Sequence, residues 1–451
     1  MPNNQVHPAD LIDRGPFSRY QKLVILLCLA IAFLDGYDAL VIGYMVPTIA
    51  DDWGINPGDL TPAITAGTIG LVIGALTLGA AADKRGRKVV IVLGVGLFAV
   101  FTGLHAIASG VTELSVYRLI AGIGLGAVLP SVISLSVEFS PAKNRAMVAV
   151  ITSAATAAGG FVGGQLVNVI VPATNWHAMF LLGAIVPIVL LPVVIKWLPE
   201  SPSVLHSHDR LEELATVLSK VSHRDIAGAE ITPRERPDGP TNRVSVRDLF
   251  AENRTVATLA LWAGYFCGYL MVFVVTSWMP TLLINSGIET STAVLATSLA
   301  TLGNMIGGIV LGYTVDRNKG EFWPLTIGYP LGALAMVGLV FAVPNAGLVL
   351  VMAAALGLTA LGNLSGLTAA AAMVYPASTR ATGVSYALTA GRFGSIVGPT
   401  LVGLLIAQNL PTKSIFLFGT IPALLASASV FVLWRSIARR TRQEAQASVR
   451  T

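Results

Sequence analysis

The chain predicts an all-α membrane protein of twelve transmembrane helices arranged as two six-helix repeats, and three observations lead there. First, 54% of its 451 residues are hydrophobic and only 12% charged, with a mean hydropathy of +0.72, whereas soluble domains carry about 25% charged residues. Second, the apolar residues fall into twelve segments, and the one long polar stretch, Glu200 to Asn253, divides them six and six. Third, landmarks of the first six segments recur in the last six at nearly constant spacing.

A helix rises about 1.5 Å per residue, so about 20 apolar residues cross the roughly 30 Å hydrocarbon core of a bilayer. Segments of that length are read at about 22–46, 62–82, 88–108, 114–137, 146–170, 177–197, 255–284, 292–315, 322–342, 346–370, 380–407 and 413–434. The expected organisation is a cytoplasmic N-terminal segment 1–21, a six-helix bundle 22–197, a linker 198–254, a second bundle 255–434 and a C-terminal tail 435–451. The first apolar run is too long for a signal-peptide core and no small-residue cleavage site follows it, so it is expected to remain as a span. Within the linker, Arg210 to Ser222 reads as an amphipathic helix, and Thr232 to Asn242, with three prolines and a glycine, as flexible chain.

Charge sets the orientation. Basic residues gather at Arg14, Arg19 and Lys22, at Lys84, Arg85, Arg87 and Lys88, at Lys143 and Arg145, in the linker, at Arg317 and Lys319, at Arg380, and at Arg435 to Arg442. The alternate connections hold a single one, Lys413. The positive-inside rule therefore places both termini and the linker in the cytoplasm, in a multi-pass protein of the cytoplasmic membrane. The net charge of +5 has this topological origin and is no argument for nucleic acid. Cys28 and Cys267 both fall inside predicted spans, which suggests neither a disulfide framework nor a metal site.

The duplication is specific. Gly79 to Asp83 recurs in the segment ending at Asp316, 233 residues on; Pro141-Ala142-x-x-Arg145-Ala146 recurs as Pro376-Ala377-x-x-Arg380-Ala381, and Gly159-x-x-x-Gly163 as Gly394-x-x-x-Gly398, both 235 residues on. Parallel repeats of this kind imply a substrate site at the repeat interface and alternating access.

A few charges lie where charge is costly. Asp35 and Asp38 sit near the middle of the first span, and their spacing of three puts both on one helix face. Charged groups at that depth cost several kcal/mol unless paired, protonated or hydrated, so function is the default reading. Arg118, about one turn inside the fourth span, is placed to meet Asp38, either as a permanent pair or as a partner that loads and releases a proton. Arg392 lies about twelve residues into the eleventh span, and no acidic residue occurs inside any span of the second half, so it requires an anion: Asp35 or Asp38, or a substrate carboxylate gripped through two parallel hydrogen bonds. Of the aromatic residues near these charges, Tyr37, Trp262, Phe266 and Tyr386 are candidates to stack on a planar ligand, with Asn363, Ser385 and Thr389 as candidate readers of its substituents. His105 and His177 fall at outer helix ends, where interfacial solvation is expected, and Pro199-Glu200-Ser201-Pro202 reads as a helix exit. No Ser/His/Asp, metal or phosphate-loop constellation points to an enzyme.

The loop Gly79-Ala80-Ala81-Ala82-Asp83-Lys84-Arg85-Gly86-Arg87-Lys88 and the run Arg118-x-x-x-Gly122-x-Gly124-x-Gly126 resemble the signatures of the major facilitator superfamily. That resemblance implies the fold of the same name and a cytoplasmic gate of Gly79, Asp83, Arg87, Glu138, Asp316 and Arg380, with Asp83 meeting the region of Ser378 to Arg380 and Arg87 approaching Glu138. The fifth span has no Gly-Pro where drug/proton antiporters carry their motif. Asp35-Gly36-Tyr37-Asp38, Ser277-Trp278-Met279-Pro280, Gly362-Asn363, Tyr375-Pro376-x-x-x-Arg380-Ala381-Thr382-Gly383 and Gly391-Arg392-x-Gly394 together resemble the aromatic acid:proton symporters. The resemblance implies import of a small benzoate-type carboxylate with protons, no other cofactor, Asp35 and Asp38 as the carboxylates needed for transport, and Arg118, Glu138, Asp316, Arg380 and Arg392 at charged positions of the pattern; a monomer is expected. A carrier of another small organic anion, a sugar or a drug is the alternative, and a non-transporting sensor a third.

Overall fold

A computed structural model describes residues 5–6, 11–13, 17–222, 230–231, 246–251, 254–317 and 323–448. Among them, twelve helices are long and apolar enough to cross a membrane. The flexible stretch expected at Thr232 to Asn242 lies outside the described residues. The chain forms two compact units, one of Met1–Val41 with Ala66–Gly239, the other of Ile42–Thr65 with Pro240–Thr451.

The first unit contains the beginning of span 1 (Arg19–Trp53), most of span 2 (Pro57–Ala82), and spans 3 (Arg87–His105), 4 (Val111–Glu138), 5 (Ala142–Ala173) and 6 (Trp176–Trp197). Lipid tails are as apolar as leucine, so membrane helices associate through close packing at small residues. Span 4 illustrates this on two faces. Gly122 and Gly126 lie against the backbone of Gly67 and Leu71 in span 2, while Gly124 lies against Gly94 and Phe98 in span 3. A buried apolar cluster that includes Val24, Ile31, Val95, Phe98, Leu125 and Leu198 continues onto the linker helix Leu211–Ser222, which buries Leu214, Val217, Leu218 and Val221. A minimal parallel pairing sets Gln5 opposite Glu230 and Val6 opposite Ile231.

The second unit contains spans 7 (Thr255–Asn285), 8 (Thr290–Leu311), 9 (Trp323–Ala342), 10 (Ala346–Thr368), 11 (Thr382–Ala407) and 12 (Thr412–Ile437). It repeats the packing of the first. Gly307 of span 8 meets the backbone of Leu358 in span 10, as Gly74 of span 2 meets Ile123 in span 4. Gly394 of span 11 meets the carbonyl of Phe266 in span 7, as Gly159 of span 5 meets the carbonyl of Phe33 in span 1. Sequence duplication is thus also duplication of contacts. Span 10 is interrupted by a π-helical turn, Gly357–Leu361, just before Asn363, and span 12 is broken at Gly419 between Thr412–Phe418 and a helix that runs from Thr420 to Ser448.

Ile42–Thr65, the end of span 1 and the start of span 2, is anchored within this second unit. Gly43 lies against the backbone of Thr276, Tyr44 faces Ser298 at 3.4 Å, Asn56 donates to Asn409 Oδ1 at 3.1 Å, and the hydroxyls of Thr65 and Thr400 are 2.8 Å apart.

Candidate functional site

In the first unit the sequence brings four polar side chains from three helices together. Asp38 is fully buried; its Oδ1 accepts a short hydrogen bond from the Thr102 hydroxyl of span 3, and its Oδ2 lies 3.6 Å from Arg118 Nη1 of span 4. The same Nη1 reaches the Asp38 carbonyl at 3.5 Å. Asp35, one turn earlier, is 5% exposed, and its Oδ1 has no hydrogen-bond partner, nor has Arg118 Nε. Of the two carboxylates, only Asp38 is paired with the guanidinium. With both carboxylates ionised the cluster carries one uncompensated negative charge, and a single proton neutralises it, which is the arrangement a proton carrier needs in a medium hostile to net charge.

Glycines set this cluster in place. Gly36, between the two aspartates, lies so close to the backbone of Thr156 in span 5 that a side chain there would collide with its carbonyl. Gly67 faces the guanidinium, leaving a Cβ only 3.1 Å from Arg118 Nε. Gly36→Ala is accordingly expected to cost about 1 to 3 kcal/mol, as overpacking does, and to lower the thermal unfolding midpoint in detergent; an unchanged midpoint would refute the close approach.

Tyr37 lies beside Thr102, both meeting Gly183 of span 6. Its hydroxyl donates to the Met179 carbonyl at 2.7 Å, and its ring packs beside Gly163 and Gly183, so it is a buried packing residue joining spans 1, 5 and 6. His105 corrects a sequence expectation. It is fully buried rather than solvated at an interface, with its ring edge-on to Phe180 at 5.2 Å. The end of span 3 is covered by span 6, and no local pattern reports that covering. Thr102 was equally invisible, because one threonine in an apolar helix carries no signal until Asp38 lies opposite.

At the basic end of this unit, Arg87 is paired with Glu138, and Glu138 also accepts from the Ser201 hydroxyl at 2.5 Å. Arg145 pairs instead with Asp13 at 2.6 Å. Glu200 does more than mark a helix exit: its Oε1 accepts from the backbone amides of Arg87 at 2.7 Å, Lys88 at 3.2 Å and Ser201 at 2.8 Å. Gly86 has φ +103°, and a Cβ on it would strike the Glu200 carboxylate, so the glycine is required twice over. Gly79 sits in span 2, where a Cβ would make only an ordinary contact with the Gly74 carbonyl at 3.8 Å, and Asp83 lies near the end of the helix Thr61–Arg85, its side chain outside the described residues.

In the second unit Arg392 is partly buried in span 11 and, among the described residues, forms no ion pair. Its neighbour Gly391 lies flat against the Tyr269 ring of span 7, near enough for Tyr269 and Arg392 to interact electrostatically. Tyr269 belongs to a ladder along one face of span 7: its ring stacks 6.4 Å from Tyr265 and 6.3 Å from Phe273, each interplanar angle 23°. Tyr269 and Phe273 are not among the aromatic candidates named from the sequence, although successive spacings of four from Tyr265 put them on one helix face. Trp262 and Tyr386 stack on each other at 6.1 Å and 15°.

The remaining residues are dispersed. Phe266 lines an apolar cavity of about 410 Å³ with Leu270, Val274, Gly398 and Leu401. Asn363 is fully buried, donating to the Leu325 carbonyl at 3.0 Å and packed against Gly328, with its Oδ1 unpartnered. Ser385 is exposed, and Thr389 donates to its carbonyl at 2.8 Å. Arg380 is exposed, its Nε 3.4 Å from the Tyr375 carbonyl; Asp316 lies in the helix Thr290–Arg317 with its side chain outside the described residues.

Comparison with known proteins agrees with this architecture. Residues 28–362 match the Major Facilitator Superfamily. The chain is 35% identical to a gallate transporter of Pseudomonas putida, the alignment covering 93% of each. It is 32% identical to the 4-hydroxybenzoate transporter PcaK of Acinetobacter baylyi over 94% of this chain and 93% of that one, and 31% identical to a benzoate transport protein of the same organism over 96% and 93%. Among solved structures, the xylose transporter XylE from E. coli superposes with a TM-score of 0.68 at 18% identity, covering 91% of this chain and 98% of that one.

Proposed function

Since the chain belongs to the Major Facilitator Superfamily and is a multi-pass membrane transporter rather than an enzyme, we propose that it imports an aromatic carboxylate of the benzoate type together with protons, by alternating access. The observation that carries this reading is Arg392: a guanidinium at membrane depth with no ion-pair partner among the described residues, next to a stack of aromatic rings. A guanidinium grips a carboxylate through two charge-assisted hydrogen bonds, and an aromatic ladder offers faces to a planar ring. The gallate, 4-hydroxybenzoate and benzoate carriers similar to this chain act on acids of that shape.

The proton is assigned to the Asp35/Asp38/Arg118 cluster. Arg118 compensates Asp38, so the proton goes to Asp35, whose Oδ1 is free to receive it. Tyr269, Trp262 and Tyr386 form the ring-binding set, while Tyr37 and Asn363, whose donor groups are already engaged, support the helices that carry the site. Protonation of one unit and binding of a monoanion by the other remove both uncompensated charges, which lowers the barrier to the change of state. The positive-inside rule supports a cytoplasmic location for both termini and the linker, and the Arg87–Glu138 pair with Glu200 beside it is our candidate for the gate on that side.

The test is uptake of labelled benzoate, 4-hydroxybenzoate, gallate, protocatechuate and gentisate into proteoliposomes, with and without an inward proton gradient. Accumulation of at least one acid above its equilibrium level is expected, only with the gradient, and driven by pH difference rather than membrane potential because one proton and one monoanion move no net charge. If no aromatic acid enters, the cargo assignment fails and sugars or aliphatic acids become the next candidates.

A further inference from the structure

At the basic end of the first unit, where spans 1, 3 and 6 begin or end, a groove of about 640 Å³ opens between those helices and the linker helix Leu211–Ser222. Its charged residues are unevenly satisfied. Arg210 is held by Glu213 at 2.6 Å, and Glu200 is committed to three backbone amides. That leaves Lys88, Lys196 and Lys220 without an ion-pair partner among the described residues. Lys220 is nevertheless oriented, its ammonium 5.6 Å from the centre of the Tyr20 ring. The adjoining face of the linker helix is buried against the bundle through Leu214, Val217, Leu218 and Val221. Beside the lysines the groove is apolar: Leu23, Val89 and Trp197 line it, and Val89 and Trp197 are 43% and 51% exposed.

We propose that this groove is a binding site for an anionic phospholipid, with the phosphodiester held by Lys88, Lys196 and Lys220 and the upper acyl chain lying on Leu23, Val89 and Trp197. Cationic side chains alone attract any anion. What selects a lipid is the coupling of three cations to an exposed apolar strip at the very position where spans leave the hydrocarbon, with a tryptophan at the boundary. A soluble phosphate has no use for the strip, and a zwitterionic lipid gains little from a groove whose four cations exceed its two carboxylates by two. Occupancy would clamp the linker helix to spans 1, 3 and 6 beside the Arg87–Glu138 pair, so the bound lipid stabilises one face of the gate. This inference depends on the membrane boundary and not on the cargo.

Native mass spectrometry of the purified full chain, released from micelles containing equal amounts of phosphatidylglycerol and phosphatidylcholine, tests it. A single phosphatidylglycerol adduct is expected, favoured about tenfold or more over phosphatidylcholine, as a few surface cations at about 1 kcal/mol each allow. The triple variant K88Q/K196Q/K220Q should lose the preference, K88R/K196R/K220R should keep it, and K84Q/K143Q/K413Q, with the same charge removed elsewhere, should keep it as well. Equal loss in the arginine variant, or retention in the glutamine variant, would overturn the site. Displacement of the adduct by millimolar inorganic phosphate or glycerol phosphate alone would identify a soluble-anion site and overturn the lipid as occupant.

Discussion

Asparagine at position 35 is expected to abolish proton-driven accumulation while leaving substrate exchange and stability nearly intact; asparagine at position 38 should abolish accumulation and destabilise the protein as well. The difference follows from the geometry. Asp38 is the carboxylate nearest Arg118, at 3.6 Å, and it accepts from Thr102. Its neutralisation leaves a nearly buried guanidinium with less compensation, and breaking a buried pair in this way costs about 3 to 5 kcal/mol. Asp35 carries the charge that Arg118 does not match, so Asp35→Asn reproduces the protonated cluster permanently. A carrier locked in that form can bring labelled substrate in against unlabelled substrate on the other side, yet cannot couple to the gradient. Counterflow and gradient-driven uptake measured on both variants, with thermal unfolding alongside, separate the two roles. Full accumulation by either variant would remove the carboxylate pair from the coupling mechanism.

The second large effect is expected at Arg392. Removing one partner of a buried, hydrogen-bonded charge pair costs about 2 to 5 kcal/mol, which is roughly 30-fold to several thousandfold at 1.4 kcal/mol per tenfold. Arg392→Ala should therefore lower kcat/KM for the aromatic acid by that range. Because Arg392 has no ion-pair partner among the described residues, the alanine variant should fold as the wild type does. Arg392→Lys keeps the charge and loses the two-pronged geometry, so its defect should be smaller and concentrated in KM. An alanine variant with normal uptake would mean that the substrate carboxylate is held elsewhere.

Properties that depend only on neighbours in the chain were legible without coordinates. Span length and apolarity are sums over about 20 consecutive residues, so all twelve spans were readable. The repeat was readable because duplicated helices keep the small residues that let them touch: Gly159 and Gly394, read as a motif, meet the carbonyls of Phe33 and Phe266. The one-face placement of Asp35 and Asp38 needed only the helical period.

Whatever required two distant segments to meet was decided by the tertiary structure. The sequence offered Arg118 as a partner for Asp38 but left open whether they pair, and gave no sign of the Thr102 contact, since these residues lie 80 and 64 positions from Asp38. It led His105 to be read as solvated, because a helix end looks exposed until span 6 covers it. Glu200 reads as the end of span 6, and only folding turns its carboxylate onto the amides of Arg87 and Lys88. Aromatic residues are common in spans and do not announce which face they take, so Tyr269 was distinguished only by Gly391 beneath it and Arg392 beside it. The hydrophobic effect and the cost of charge in lipid act residue by residue, and they determine from the sequence that this chain crosses a membrane twelve times and must use its few buried charges. Ion pairs, hydrogen bonds and steric fit act between residues only when the backbone has brought them within a few ångströms, and they decide which of those charges work together.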